Sequence, residues 1–226
     1  YAETLSLRYG WSRLPWTPEN AVENIVLHPE RLAQPLRWSR PRRVFVNSMS
    51  DLFHELVPDD FLDRVINAMV LVPRHQFQVL TKRPERMRDS IRRWYSPDGL
   101  AGYGNPSNAI SVASPARNIW LGTSIENDRF VGRADAVRET PAAIRFLSLE
   151  PLLGPLPSLD LTGIDWVIVG GESGPAHRPI EPDWVRDLRD RAVGAGVAFF
   201  FKQWGGQTPK AGGRQLDGRT WDEMPA

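Results

Sequence analysis

The sequence predicts an α/β protein built as a parallel, partial (β/α) barrel, and three observations carry that prediction. Six short, largely apolar runs, at 44–46, 77–80, 119–121, 144–147, 166–169 and 197–201, are too short for helices and suit strands covered on both faces. Most of them alternate with segments of 3.6-residue apolar period, the order that makes strands parallel through right-handed crossovers. Every run is followed by polar or glycine residues, as in folds that gather a site at the C-terminal ends of parallel strands. A doubly wound open sheet is the other arrangement of the same elements.

Taken in order, Tyr1 to Gly10 reads as a short helix, with Ala2, Leu5 and Tyr9 on one face and Gly10 able to cap it. Trp11 to Pro41 is rich in Pro and Trp, lacks a clean period, and is expected to wrap the surface, with a short helix near Pro29. Val44-Phe45-Val46 is the first strand. Asp59 and Asp60 open a helix carrying Phe61, Val65, Ala68, Met69 and Val72, and Pro73 stops it. The strand Phe77 to Leu80 leads to a helix opened by Pro84, with Met87, Ile91 and Trp94 on its apolar stripe. Residues 96–117, rich in Gly, Pro, Ser and Asn, read as a loop insertion. After strand Ile119 to Leu121 comes a helix with Phe130, Ala134 and Val137; strand Ile144 to Leu147 and a Pro-rich connection precede strand Trp166 to Val169. Pro182 starts the last helix, with Trp184, Val185, Leu188 and Ala192 inward, and Val197 to Phe201 is the final strand. The tail 205–226 shows no pattern and reads as irregular. The expectation is a single domain over 1–226.

Composition narrows the function classes. At 226 residues, with 41% hydrophobic and 24% charged residues, the chain is an ordinary globular length and mixture. A net charge of +1 gives no global case for nucleic acid or an anionic membrane, and no apolar run approaches a membrane span, so a cytoplasmic protein is expected. There is no cysteine, hence no disulfide and no thiolate-bound metal within the sequence. Only Lys82, Lys202 and Lys210 are lysines, so 25 of the 28 basic residues are arginine. Two of those three lysines follow, or end, predicted strands.

The strand ends converge on one rim if the strands are parallel. Read in order, that rim offers Asn47, Ser48, Ser50 and Asp51; Thr81, Lys82 and Arg83; Ser124, Glu126 and Asn127; Ser148 and Glu150; Gly170, Gly171, Glu172 and Ser173; and Lys202, Gln203 and Trp204. A carboxylate after four of six strands exceeds what turns require. Two chemistries fit. Asp51, Glu126, Glu150 and Glu172 could hold a divalent cation for a hydrolase or lyase. Alternatively, a polar cofactor could set its amine against carboxylates, its carboxylate against Lys or Arg, and its ribose against Ser and Asn. The glycines Gly170 and Gly171 would let backbone approach such a ligand. The histidines His28, His54, His75 and His177 are scattered and form no catalytic order. Arg37, Trp38, Arg40, Arg42 and Arg43, and then Arg86, Arg88, Arg92, Arg93, Trp94 and Tyr95, are Arg-plus-aromatic clusters that could contact phosphates and stack bases. A non-catalytic nucleic-acid-binding module is therefore a further alternative, while the oligomeric state is not encoded in any pattern seen here.

Several motifs are long enough to be specific: Tyr1-Ala-Glu3, Arg42-Val-Phe-Val-Asn-Ser-Met-Ser-Asp-Leu-Phe-His54, Val79-Leu-Thr-Lys-Arg-Pro-Glu-Arg-Met87, Trp120-Leu-Gly-Thr-Ser-Ile-Glu-Asn127, Leu149-Glu-Pro-Leu-Leu-Gly154, Val169-Gly-Gly-Glu-Ser-Gly174, Phe201-Lys-Gln-Trp-Gly205 and Leu216-Asp-Gly-Arg-Thr-Trp221. Across nearly the full length they resemble a family of phage and bacterial proteins of unknown function, similar in turn to the radical S-adenosylmethionine superfamily and nearest to spore photoproduct lyase. The resemblance implies a partial barrel that binds S-adenosylmethionine on the rim. It also implies a [4Fe-4S] cluster held by three cysteines, the last of them directly before Tyr1. The first strand and the cluster loop are then expected to precede Tyr1. On this resemblance Ser48, Ser50 and Asp51 meet the methionine end of the cofactor, Ser124, Glu126 and Glu150 lie towards the ribose, and Lys82, Gly170, Gly171, Glu172 and Lys202 line the rest. Nucleic acid is the expected substrate class by analogy alone.

Overall fold

A computed structural model describes residue 10 and residues 14–47, 50–102 and 110–225. The expected helix at Tyr1–Gly10, apart from Gly10 itself, Ser48, and the centre of the 96–117 segment lie outside the described residues.

A short helix α1 (Ala21–Asn24) and two 3-10 turns at Pro29–Arg31 and Pro35–Arg37 lead to strand β1 (Arg43–Val46). There follow α2 (Asp59–Val70), β2 (Gln76–Thr81), α3 (Pro84–Trp94), α4 (Pro97–Gly102), β3 (Ile119–Ser124), α5 (Arg133–Arg138) and β4 (Ile144–Leu149). The chain continues through β5 (Trp166–Gly170), α6 (Pro182–Gly194), β6 (Ala198–Gln203) and a hairpin of β7 (Gln215–Leu216) and β8 (Arg219–Thr220). The six long strands form one all-parallel sheet in the order β1-β2-β3-β4-β5-β6, curled into a half barrel. Because the order never reverses, there is no switch point, and the doubly wound alternative is set aside.

Residue alternation divides the sheet into two chemically distinct faces. Val79, Leu121, Leu147, Val167 and Phe199 point to the outer face, where they join Leu62, Ile66 and Met69 of α2, Met87, Ile91 and Trp94 of α3, Ala134 and Val137 of α5, and Val185, Leu188 and Ala192 of α6. Proline at the first position of α3 and α6 and acidic residues in the first turn of α2 set the helix starts. Among the described residues no helix packs against the concave face. Its strand residues Trp120, Phe146 and Trp166 fill it, with Leu80, Ile144, Ile168, Ala198 and Phe200 packed around them. Trp166 is the hub, 5.8 Å edge-on from Trp120, 5.8 Å from Phe146 and 6.0 Å from Phe200. Gly122 is required here, since a Cβ at that position would run into the Phe146 carbonyl oxygen and lie 2.6 Å from two atoms of its ring.

Two segments differ from the sequence expectation. The tail is not irregular: after the β7–β8 hairpin, the Trp221 carbonyl accepts from the Phe201 amide at 2.9 Å and Glu223 N–H donates to the Phe199 carbonyl at 3.2 Å. The tail thus covers the open edge of β6, and Met224 packs beneath the concave aromatic cluster while Glu223 O accepts from Trp166 Nε1 at 2.9 Å. The 96–117 segment is not all loop, because its start forms α4. Strands also run one to three residues further than their apolar runs: Gly122 to Ser124, Ser148 and Leu149, Gly170, and Lys202 and Gln203 are all strand residues.

Candidate functional site

Parallel pairing brings the expected rim together. Ser124 and Ser148 are opposite one another in the β3–β4 register, and Gly170 and Lys202 continue the concave-facing alternation of β5 and β6. Two ion pairs dominate this mouth. Lys82 Nζ, just past β2, lies 2.5 Å from Glu126 Oε1, just past β3. Arg133 Nη1, on the first turn of α5, donates to the other oxygen of Glu126 at 3.2 Å and to the Ser124 carbonyl at 2.8 Å. Glu126 is only 7% exposed. Its carboxylate therefore sits below a lysine that is largely in solvent.

The second pair reaches across a strand. Lys202 Nζ on β6 is 2.9 Å from both oxygens of Glu150, which follows β4, and Gln203 Nε2 reaches Glu150 Oε1 at 3.4 Å. The strand between them contributes Gly170, where an added Cβ would lie 3.2 Å from Cγ and Cδ of Glu150. A side chain at 170 would intrude on this bridge. That is the physical reason for glycine at this strand end.

Other predicted residues serve the scaffold. Asp51 Oδ1 accepts from Thr81 Oγ1 at 2.6 Å and from Phe53 N at 3.0 Å, while Oδ2 accepts from Lys82 N at 3.0 Å and from Arg83 Nη1 at 3.1 Å. All its good acceptor positions are used in tying the loop after β1 to the end of β2. Glu172 is gripped by Arg178, whose Nε and Nη2 approach at 2.8 and 2.7 Å and whose backbone N–H adds a third bond at 2.9 Å. The Arg178 side chain holds the Glu172 carboxyl down to about 2. At Gly171 a Cβ would run into the Trp204 backbone, so this glycine permits two loops to pack together, sealed by Gly174 N→Gly206 O and Gly206 N→Glu172 O, both 2.9 Å. The packing against Trp204 by itself requires glycine at 171. Ser50 lies in an exposed bend with its N–H on the Asn47 carbonyl at 3.2 Å. His54 sits beside Arg83, and burial first, then that guanidinium, lowers its pKa.

The carboxylates do not form the cation site considered above. Asp51 is saturated by amides, hydroxyl and arginine, and Glu126, Glu150 and Glu172 each face their own cation. Among the described residues no three His, Asp or Glu side chains converge on a point where one metal ion could sit. Arg133 and Arg178 are the rim residues that sequence reasoning missed. Arg133 lies seven residues beyond Glu126, with Arg129 between them, and Arg178 lies six beyond Glu172, so only the similar offset was a signal.

A family model described as a protein of unknown function (DUF5131) matches residues 1–225. The chain belongs to that family. Within this DUF5131 chain the match takes in every strand of the half barrel and the whole rim. No curated protein and no solved structure matches the chain. No helix among the described residues is long and apolar enough to cross a membrane.

Proposed function

We propose that the rim binds S-adenosylmethionine, and that the protein is an enzyme of the radical S-adenosylmethionine type. The observation that supports this most is the pair of lysine–glutamate bridges, Lys82–Glu126 and Lys202–Glu150, at the C-terminal mouth of a half barrel whose strands run in sequential order. A sulfonium amino acid joined to a nucleoside needs an anion for its ammonium, a cation for its carboxylate and hydroxyl partners for its ribose. Glu126 and Glu150 supply the first, Lys82 and Lys202 the second, and Ser124 and Ser148 stand between them. In such enzymes the cofactor supplies a carbon-centred radical; the task of these residues is to bind it, orient it and keep its charges matched.

The [4Fe-4S] cluster is a different matter. Residues 1–226 contain no cysteine, so the residues present do not fit that group. The test is calorimetric titration of the protein with S-adenosylmethionine, and separately with adenosine and methionine. Binding of the intact cofactor that Glu126→Gln and Glu150→Gln each weaken at least tenfold supports the reading. Absence of binding by a folded protein, or parental affinity in both variants, overturns it.

A further inference from the structure

The arginines of α3 are spent within the protein: Arg86 pairs with Asp59, Arg88 with Asp89 and Glu139, Arg92 with Glu139, and Arg93 with Asp59 and Asp63, all within 3.8 Å. Arg214 is not. The sequence holds no Asp or Glu between Asp190 and Asp217, and Asp217 is itself consumed by Arg186 and Arg189 at 2.7 Å each. Asp222 stands opposite Phe200 in an antiparallel bridge, yet among the described residues it forms no ion pair. The exposed Arg214 guanidinium therefore has no carboxylate partner and donates no hydrogen bond to any described residue.

Its place is nonetheless fixed. The Arg214 guanidinium lies 5.3 Å over the Phe200 ring, which packs into the concave cluster. One residue clamps its backbone from both sides: Trp204 N donates to the Gly213 carbonyl at 3.0 Å, and Trp204 Nε1 donates to the Gln215 carbonyl at 2.8 Å. The Gly212 N–H closes the same loop on the Gly205 carbonyl at 2.9 Å, and a Cβ at 212 would lie 2.6 Å from Trp204 Cβ. With one face of the guanidinium over a ring, its N–H edges are left for a ligand. A planar fork of that kind meets phosphate or carboxylate oxygens in paired hydrogen bonds.

Phe200 also locates this cation relative to the rim. Ser124, Ser148, Ile168 and Phe200 are register partners across β3, β4, β5 and β6, and Lys202 follows on the same face of β6. Ser124 and Ser148 are more than nine-tenths buried, and neither hydroxyl has a hydrogen-bond partner among the described residues. The row thus keeps polar capacity that the protein does not use, with hydroxyls at one end and a guanidinium at the other. Phe200 is two strands, roughly 10 Å, from Ser148. A zwitterion exchanging into Lys82–Glu126 or Lys202–Glu150 satisfies the charges there and brings none for Arg214.

We propose that Arg214, seated over Phe200, binds an oxyanion, a phosphate or carboxylate group of the molecule that shares the mouth with the cofactor. The substrate is accordingly anionic. The anion site stands on Arg214 and Phe200 alone, whereas calling its occupant the co-bound substrate rests on the S-adenosylmethionine reading above.

The test is calorimetric titration with inorganic phosphate and, in parallel, with acetate, at constant ionic strength and without S-adenosylmethionine. The parent is expected to bind at least one of the two, and the tighter names the group. Arg214→Gln is expected to weaken that binding about fivefold or more, and Arg214→Lys to recover part of it, because lysine keeps the charge without the fork. Arg64→Gln, which removes an equally exposed and unpaired arginine from α2, is the control and should bind as the parent does. Thermal melts establish that each variant is folded. Arg214→Gln should also keep the parental affinity for S-adenosylmethionine. Four results overturn the proposal: no binding of either anion by the folded parent, parental anion affinity in Arg214→Gln, an equal loss in Arg64→Gln, or a loss of S-adenosylmethionine affinity in Arg214→Gln, which would place Arg214 in the cofactor's own site. Failure of S-adenosylmethionine to bind the parent sinks the function above and leaves the anion site standing.

Discussion

Asp51 separates a ligand contact from a structural tie most sharply. Its carboxylate accepts four hydrogen bonds and is itself mostly buried. In Asp51→Ala, Arg83 keeps Glu55 at 2.9 Å and the Lys82 amide can turn to water, so those two donors cost little. The Thr81 hydroxyl and the Phe53 amide are different, because Thr81 is 2% exposed and Phe53 1%. Two buried donors left unsatisfied, at about 1–2 kcal/mol each, place the loss near 3 kcal/mol. For a chain of this size that corresponds to a fall in melting temperature of roughly 6–12 °C. Asp51→Asn keeps an acceptor for Thr81 and Phe53 but sets an amide NH₂ against the Lys82 amide and Arg83, and should lose roughly half as much. Circular-dichroism melts and urea midpoints of the three proteins measure this directly. A variant Asp51→Ala that melts within about 2 °C of the parent while losing S-adenosylmethionine binding would refute the reasoning, because Asp51 would then be a ligand contact and not a tie between β1 and β2.

Further predictions concern the other ends of the sheet. Gly170→Ala should leave the urea midpoint within about 1 kcal/mol of the parent, since the half-exposed Lys202–Glu150 bridge contributes little to stability, yet it should weaken cofactor binding as Glu150→Gln does. A parental affinity in Gly170→Ala would show that the bridge is not part of the site. Trp166→Ala removes the hub of the concave cluster together with its bond to the Glu223 carbonyl, and should cost about 3–5 kcal/mol by chemical denaturation. Glu172, held by Arg178 at about 2 against an ordinary 4.5, has a depressed folded-state pKa. Its stabilisation is therefore present above pH 4.5 and is lost as pH falls towards 2, discounted because Arg178 is largely in solvent. Arg178→Met should flatten the urea midpoint between pH 4.5 and 2.5 relative to the parent, and an unchanged slope would disprove the pairing.

The half barrel was legible because its signals are local: six apolar runs, helix-starting prolines at 84 and 182, and glycines after α6 all report chain direction within a few residues. The concave side was not legible to the same degree. Trp120, Phe146 and Trp166 look like ordinary strand residues in sequence, and only the alternation imposed by pairing shows that they form a cluster apart from the helix layer. The described rim residues do lie at or just past strand ends, but their roles were not readable. Asp51 and Glu126 are both acidic residues following a strand, yet one is consumed by backbone amides, a hydroxyl and Arg83, and the other by Lys82 just past β2 and Arg133 of α5. The partner that decides such a role lies on another element. The tail escaped for a similar reason, since Trp221 to Glu223 pair with an edge whose existence only the sheet order discloses.

That internal pairing also bears on what the mouth can bind. A bare cation recruiting Glu126 would have to detach Lys82 and Arg133, and an anion recruiting those two would strand Glu126, at 7% exposure, without a counter-charge. Leaving a buried charge unpartnered costs roughly 3–5 kcal/mol, more than most single contacts with a small ion return. A zwitterion avoids this cost. Its ammonium can take over the glutamate as its carboxylate takes over the lysine, so each side chain exchanges one opposite charge for another. On the reading proposed above, the same exchange is offered at Lys202–Glu150, where Gly170 leaves the bridge free of an intruding side chain. On that reading an amino-acid head group is the ligand class whose charges this mouth would match. S-adenosylmethionine should accordingly outbind adenosine, which lacks both charges, and the calorimetric comparison of the two decides whether the bridges are the site.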